Sequence, residues 1–74
     1  MKRILKIGEI GQIESGEYSG WQIEVVDDRD FSGGFFILIN EDFNKPTAKG
    51  HDDWVESMDA LEKYFEEANW DIRW

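Results

Sequence analysis

His51 is the only histidine in the chain of 74 residues, and it opens the run His51-Asp52-Asp53, an imidazole followed by two carboxylates. Such groups serve two chemistries, proton transfer and metal ligation. A general base needs a nucleophile beside it to activate. The chain has no cysteine, and Ser15, Ser19, Ser32 and Ser57 all fall in turn or helix-cap contexts, so no nucleophile–base pair is expected. A metal site is not expected either, because three adjacent residues of a strand cannot all converge on one ion. Glu41-Asp42-Phe43-Asn44 lacks the length and the glycine of a calcium loop. Gly33-Gly34 lacks the lysine and the following helix of a phosphate loop. The remaining carboxylates read as a solvated face rather than an acid–base pair. The expectation is therefore no catalytic residue, no metal, no cofactor and no small-molecule ligand.

The carboxylates do set the charge. The chain carries 17 acidic and 8 basic side chains, a formal net charge of −9, with residues 1–40 at −3 and residues 41–74 at −6. Nucleic-acid binding requires cationic surface that releases counterions, and this surface repels phosphate. Anionic membranes are disfavoured for the same reason. A basic protein would be attracted and steered, although acidity also serves plain solubility. Met1-Lys2-Arg3 resembles the start of a signal peptide, but Lys6 and Glu9 interrupt any apolar segment behind it. The longest apolar run, Phe35–Ile39, is far too short to span a bilayer. A soluble, cytoplasmic protein is expected.

A chain this short forms one domain, residues 1–74, and buries only about 60% of its unfolded surface. Without cysteine it has no disulfide or thiolate metal site to reinforce so small a core. Its 11 aromatic residues are the compensation at hand, and core packing is the first role to assign to the tryptophans.

Ile4, Leu5, Ile7, Ile10 and Ile13 make the opening β-rich but not cleanly alternating, which a bend at Gly8 or Gly11 would reconcile. Residues 15–20 read as a turn. Residues 21–28 alternate as a strand, residues 27–34 form a loop closed by Gly33-Gly34, and residues 35–40 are apolar on both faces, as in a central strand. Residues 41–53 form the longest irregular stretch, before a short strand at 53–57. Ser57 suits a helix N-cap, and from Met58 the apolar spacing turns helical through Leu61, Tyr64, Phe65 and Ala68. Asn69 can end the helix, and Trp70, Ile72 and Trp74 alternate along a last strand. The order β-β-β-(β)-α-β predicts an α+β domain: a small antiparallel sheet with one C-terminal helix packed on one face.

One helix covers one face. Trp21, Ile23, Val25, Phe35, Ile37, Ile39, Val55 and Ile72 supply it, leaving Val26, Phe36, Leu38 and Trp54 on the other. Either the glycine-bent first strand curls the sheet into a partly closed barrel over them, or they await a partner. The curl is the favoured expectation, since small chains seldom leave such area uncovered.

The final third, "HDDWVESMDALEKYFEEANWDIRW", holds three of the four tryptophans among eight acids and two bases. Trp70 and Trp74 fit the core. Trp54, flanked by Asp52, Asp53 and Glu56, has the composition of a binding hot spot, an aromatic anchor in a charged rim, and Glu62 and Glu66 on the helix would extend that rim. The candidate partner-binding residues are therefore Asp52, Asp53, Trp54, Glu56, Glu62 and Glu66, and the expected partner is a basic protein.

In size, acidity, lack of cysteine and the segment "DDWVESMDALEKYFEEANWDIRW", the chain resembles the small bacterial immunity proteins that neutralise nuclease toxins. That resemblance implies a non-enzymatic inhibitor that covers a toxin domain with an acidic face. Residues 11–28, "GQIESGEYSGWQIEVVDD", are similar to the opening of SH3-like barrels of the KOW type; the likeness implies a curled first strand, while the acidity argues against the RNA or ribosomal binding of those barrels. Two alternatives stand beside the immunity reading. One is a phage or mobile-element inhibitor that mimics nucleic acid, in which carboxylates would be spaced along an elongated surface. The other is a small structural or adaptor domain.

Overall fold

The computed structural model describes residues 5–74; Met1-Lys2-Arg3 and Ile4, the first apolar residue of the expected opening strand, lie outside the described residues. The element order is β1 (Ile10–Ile13), β2 (Gln22–Asp28), β3 (Gly34–Asn40), β4 (Gly50–Val55), α1 (Met58–Ala68) and β5 (Ile72–Arg73). The strands form one antiparallel sheet in the spatial order β4-β3-β2-β1-β5. The domain is α+β, as expected, and no described helix is long and apolar enough to cross a membrane.

Local physics sets the helix. Ser57 is extended (φ −157°, ψ 167°) and its Oγ accepts from the Ala60 N–H at 3.1 Å, satisfying one of the free donors of the first turn. Asn69 closes the helix in the left-handed conformation (φ 55°), its N–H donating to the Phe65 carbonyl at 3.0 Å. Leu61 and Phe65 are buried against the sheet.

The core lies on the face that carries Ile13, Ile23, Val25, Phe35, Ile37 and Ile39, each 0–1% exposed. The helix packs over β3 and β4. Over the rest of that face, aromatic rings do the covering. Trp70 is buried, while Tyr18, Trp21, Tyr64 and Trp74 are half-buried against the same cluster. Trp74 sits so close to Gly11 of β1 that an added Cβ would lie 2.7 Å from its ring. Most of the aromatic density thus serves the core, covering sheet that the one described helix does not reach.

The sheet does not close. This corrects the expected partly closed barrel. α1 carries the chain from β4 at one edge to β5 at the other, and β5 pairs with the outer side of β1 through Gln12↔Arg73 and Ile13↔Ile72. β1 is therefore an interior strand, and the edges β4 and β5 do not pair with each other, so the sheet stays open. The bend expected near the first strand is at Gly8, whose φ of 83° suits a residue without Cβ and whose N–H donates to the Val25 carbonyl at 2.8 Å. β4 is also longer than expected, starting at Gly50, so the irregular stretch shrinks to residues 41–49.

Candidate functional site

Strand register sorts the sequence candidates onto two faces. Val26, Phe36 and Trp54 are directly opposite one another across β2, β3 and β4. The next row is Ile10, Glu24, Leu38 and Asp52, and the row beyond it holds Gln12, Gln22 and Asn40. These rows make the face away from the helix. No described strand or helix lies over it. The 41–49 loop reaches its Gln22 end, where the Phe43 N–H donates to Gln22 Oε1 at 2.7 Å.

Trp54 is 46% exposed on this open face, and Ile10 is 50% exposed. Val26, Phe36 and Leu38 between them are half-buried. The indole is nonetheless held. Its Nε1–H donates to Ser32 Oγ at 2.9 Å, and Ser32 in turn bonds the Asp28 carbonyl at 3.2 Å. Beneath the indole is Gly34, where an added Cβ would lie 2.6 Å from the ring. A glycine at that register position lets the ring lie flat on β3. Trp54 is therefore an exposed ring that the fold itself holds in place.

The carboxylates around it come from β2 and β4. Glu24 and Asp52 flank the apolar row on one side, and Asp28, paired with Gly34, flanks it on the other. Glu56 follows β4 and is exposed. The base that register puts on this face is Arg73 on the far edge, engaged by Gln12 Oε1 at 3.3 Å and by Glu14 at 3.9 Å.

Phe31, which the sequence reading passed over, projects from the loop beside this row and is 92% exposed. Its neighbour Ser32 is the residue that anchors Trp54. The available signal was a phenylalanine inside the polar run Asp27–Gly34, where no strand or helix period accounts for it.

Asp53 is elsewhere. It pairs with Ile37 and so points to the helix side of β4. There the Tyr64 hydroxyl donates to Asp53 Oδ2 at 2.6 Å, and His51 Nε2 lies 3.1 Å from the same oxygen. The Tyr64 bond, followed by that of His51, holds the Asp53 carboxyl below the usual carboxylate range against a partial desolvation that acts the other way. Burial, and then the bond to Asp53, pushes the Tyr64 phenol above its ordinary value. Tyr64 thus stays a neutral donor, and Asp53 stays an acceptor that ties α1 to the edge strand.

The six sequence candidates do not form one surface. Trp54 and Asp52 share the open face with Glu24 and Asp28, and Glu56 follows them at the end of β4. Asp53 is turned inward to Tyr64. Glu62 and Glu66 are exposed on α1, which packs on the opposite face. Strand alternation splits Asp52 from Asp53, and it likewise separates His51 and Asp53 from Asp52 as possible metal ligands. Among the described residues no three such side chains converge in a way that could hold an ion. The serine hydroxyls are used locally: Ser15 with Asp71, Ser19 with the Glu14 carbonyl, Ser32 with Asp28, and Ser57 as the helix cap. Comparison of the chain with protein-family models, with curated proteins and with solved structures finds no match in any of the three.

Proposed function

We propose that this domain is a non-enzymatic protein-binding module of the immunity or inhibitor type, which uses its open sheet face to cover a basic, nuclease-type toxin. The observation that carries this reading is Trp54: a large ring, 46% exposed, locked by Ser32 and framed by Glu24, Asp28 and Asp52. A rigid aromatic anchor costs little entropy to engage, and acidic groups around it favour a cationic partner and speed its approach. Phe31 adds a second exposed ring on the loop that carries Ser32. The flat shape, 31 × 29 × 17 Å, suits a domain that covers a site better than an elongated mimic of a nucleic-acid strand.

The test uses purified basic nuclease domains as a panel, with binding followed by surface plasmon resonance at two ionic strengths and nuclease activity measured in parallel. A cognate domain is expected to bind and lose activity. Trp54→Ala should then speed dissociation, with a loss of at least about 2 kcal/mol. Asp52→Lys should slow association and flatten its salt dependence more than Glu62→Lys with Glu66→Lys does. Binding that ignores Trp54 and Asp52 but collapses on reversing Glu62 and Glu66 would move the interface to the helix and overturn the open-face reading. A gene for a toxin domain immediately beside this one would identify the first domain to try.

A further inference from the structure

A cleft of about 430 Å³ opens on the helix side of the sheet, between the β1–β2 turn and the C-terminal half of α1. Its described lining is Glu17, Tyr18, Tyr64, Glu67, Ala68 and Trp70. Three of these six are aromatic, two are carboxylates, and none is a base. We propose that this cleft binds an organic cation, an ammonium or guanidinium group, brought by a small amine or by a basic side chain of a protein.

The ring geometry carries the proposal. Trp70 is 7% exposed and forms the buried end of the cleft. The centroids of Tyr18 and Tyr64 lie 6.1 and 6.0 Å from the Trp70 centroid, with their planes at 74° and 67° to it. Tyr18 and Tyr64 thus each stand steeply to Trp70, and all three rings line one space where a cation can meet π density. The walls are also set in advance. The Tyr64 hydroxyl is held by Asp53 at 2.6 Å, and Tyr18 stacks on His51 with its centroid 6.1 Å away and its plane at 16°. Little ordering remains to be done when a ligand enters.

Charge selects the ligand. Among the described residues, Glu17 and Glu67 make no hydrogen bond and no ion pair, so neither carboxylate at the rim has a described counter-charge. Lys63 stands one helical turn before Glu67 and does not pair with it. A hard metal ion would need several converging oxygens, which this lining does not supply. An anion would meet like charge. A weakly hydrated organic cation satisfies the rings and the carboxylates together. Composition gives no hint of such a site, because Tyr18 and Tyr64 are 46 residues apart and meet only in the fold. The proposal does not rest on the open-face interface, which lies on the other side of the sheet.

Two matched probes test it on the unaltered protein: choline, and 3,3-dimethylbutan-1-ol, its uncharged carbon counterpart. Nα-acetyl-arginine amide and Nα-acetyl-lysine amide form further arms, and sodium chloride at equal ionic strength is the control. Two-dimensional NMR follows the signals of Glu17, Tyr18, Tyr64, Glu67 and the Trp70 indole. Saturable shifts confined to these residues are expected with at least one organic cation and not with the alcohol or the salt. Choline alone acting would assign the site to a free quaternary amine; the amino-acid amides acting would assign it to a basic side chain. Glu17→Gln with Glu67→Gln should weaken the active cation about threefold to tenfold while leaving the spectrum of a folded protein. Equal shifts from the alcohol, or shifts that track salt without saturating, would overturn the proposal.

Discussion

The two faces of this sheet are built from the same strands and have opposite characters. On the helix side, Ile13, Ile23, Val25, Phe35, Ile37 and Ile39 are 0–1% exposed. On the other, Val26, Phe36 and Leu38 are half-buried and Trp54 remains 46% exposed. β3 is apolar on both faces, so its apolar content does not separate them, although β2 carries Gln22, Glu24 and Asp28 around Val26 on the open face. What separates them is a cover. One face received α1 and the aromatic rings around it, and the other received no described strand or helix. An apolar row left in that state, and edged by acids, is the feature on which the proposed partner surface rests.

The contrast can be broken from the buried side first. Phe65→Ala should cost about 3–5 kcal/mol, as truncation of a core aromatic does, and in a domain this small that loss can unfold it. Thermal and urea denaturation would measure it. Wild-type melting of that variant would mean that the helix stripe does not hold the core.

Gly34→Ala should come next, at about 1–3 kcal/mol. The new methyl would strike the Trp54 ring and the backbone of β4, so the loss should come with a shifted Trp54 indole N–H signal as the bond to Ser32 gives way. This variant tests whether the exposed tryptophan is pinned. An unmoved indole signal would show that it is not.

Tyr64→Phe removes the donor to Asp53. Because the Asp53 side chain is 39% exposed, solvent screens much of that bond and a cost of roughly 1 kcal/mol or less is expected. Its signature is the pH dependence. The folded pKa of Asp53 is depressed, so its contribution is present above the ordinary value of 3.8 and is lost as pH falls through the folded value. The folded pKa of Tyr64 is raised, so its contribution is whole below the unfolded value of 10.0 and declines as pH climbs from there toward the folded value. Stability measured against pH should flatten at the alkaline end in Tyr64→Phe and keep its wild-type slope in Trp54→Ala.

The smallest effect on folding should be that of Phe31→Ser, within about 0.5 kcal/mol. Its ring is 92% exposed, so nothing in the fold depends on it. If it belongs to the partner surface, the same substitution should weaken binding in the nuclease panel. A destabilisation well beyond that range would place Phe31 in packing that the fold depends on.

The helix was legible in the sequence almost to the residue, because its determinants are local. Ser57 and Asn69 act on backbone groups within four positions, and the stripe from Met58 to Ala68 is a periodicity along one segment. The partition of Val26, Phe36, Leu38 and Trp54 from the core residues was legible for the same reason, since strand alternation is local too. β1 was harder. Within the described part of its apolar stretch Ile10–Ile13 is strand, and its place inside the sheet depends on β5, some 60 residues away. The candidate site was half legible. Trp54 and Asp52 stay together because they are two apart on one strand, and the same alternation turns Asp53 to the other face once β4 is known to start at Gly50, whereas the place of Glu62 and Glu66 depends on which face α1 packs against.

By itself, then, the sequence determined charge, element types, caps and the division of each strand into two sides. Each of these follows from a side chain acting on its own backbone or on neighbours a few residues away. Tertiary structure decided which strand lies beside which, that β5 pairs beside β1 while the sheet stays open, that Gly34 receives the Trp54 ring, and that Tyr18, Tyr64 and Trp70 line a cleft. Those outcomes depend on contacts between residues distant in the chain. Their free energy is set by how well surfaces fit once brought together, and no local pattern encodes that fit.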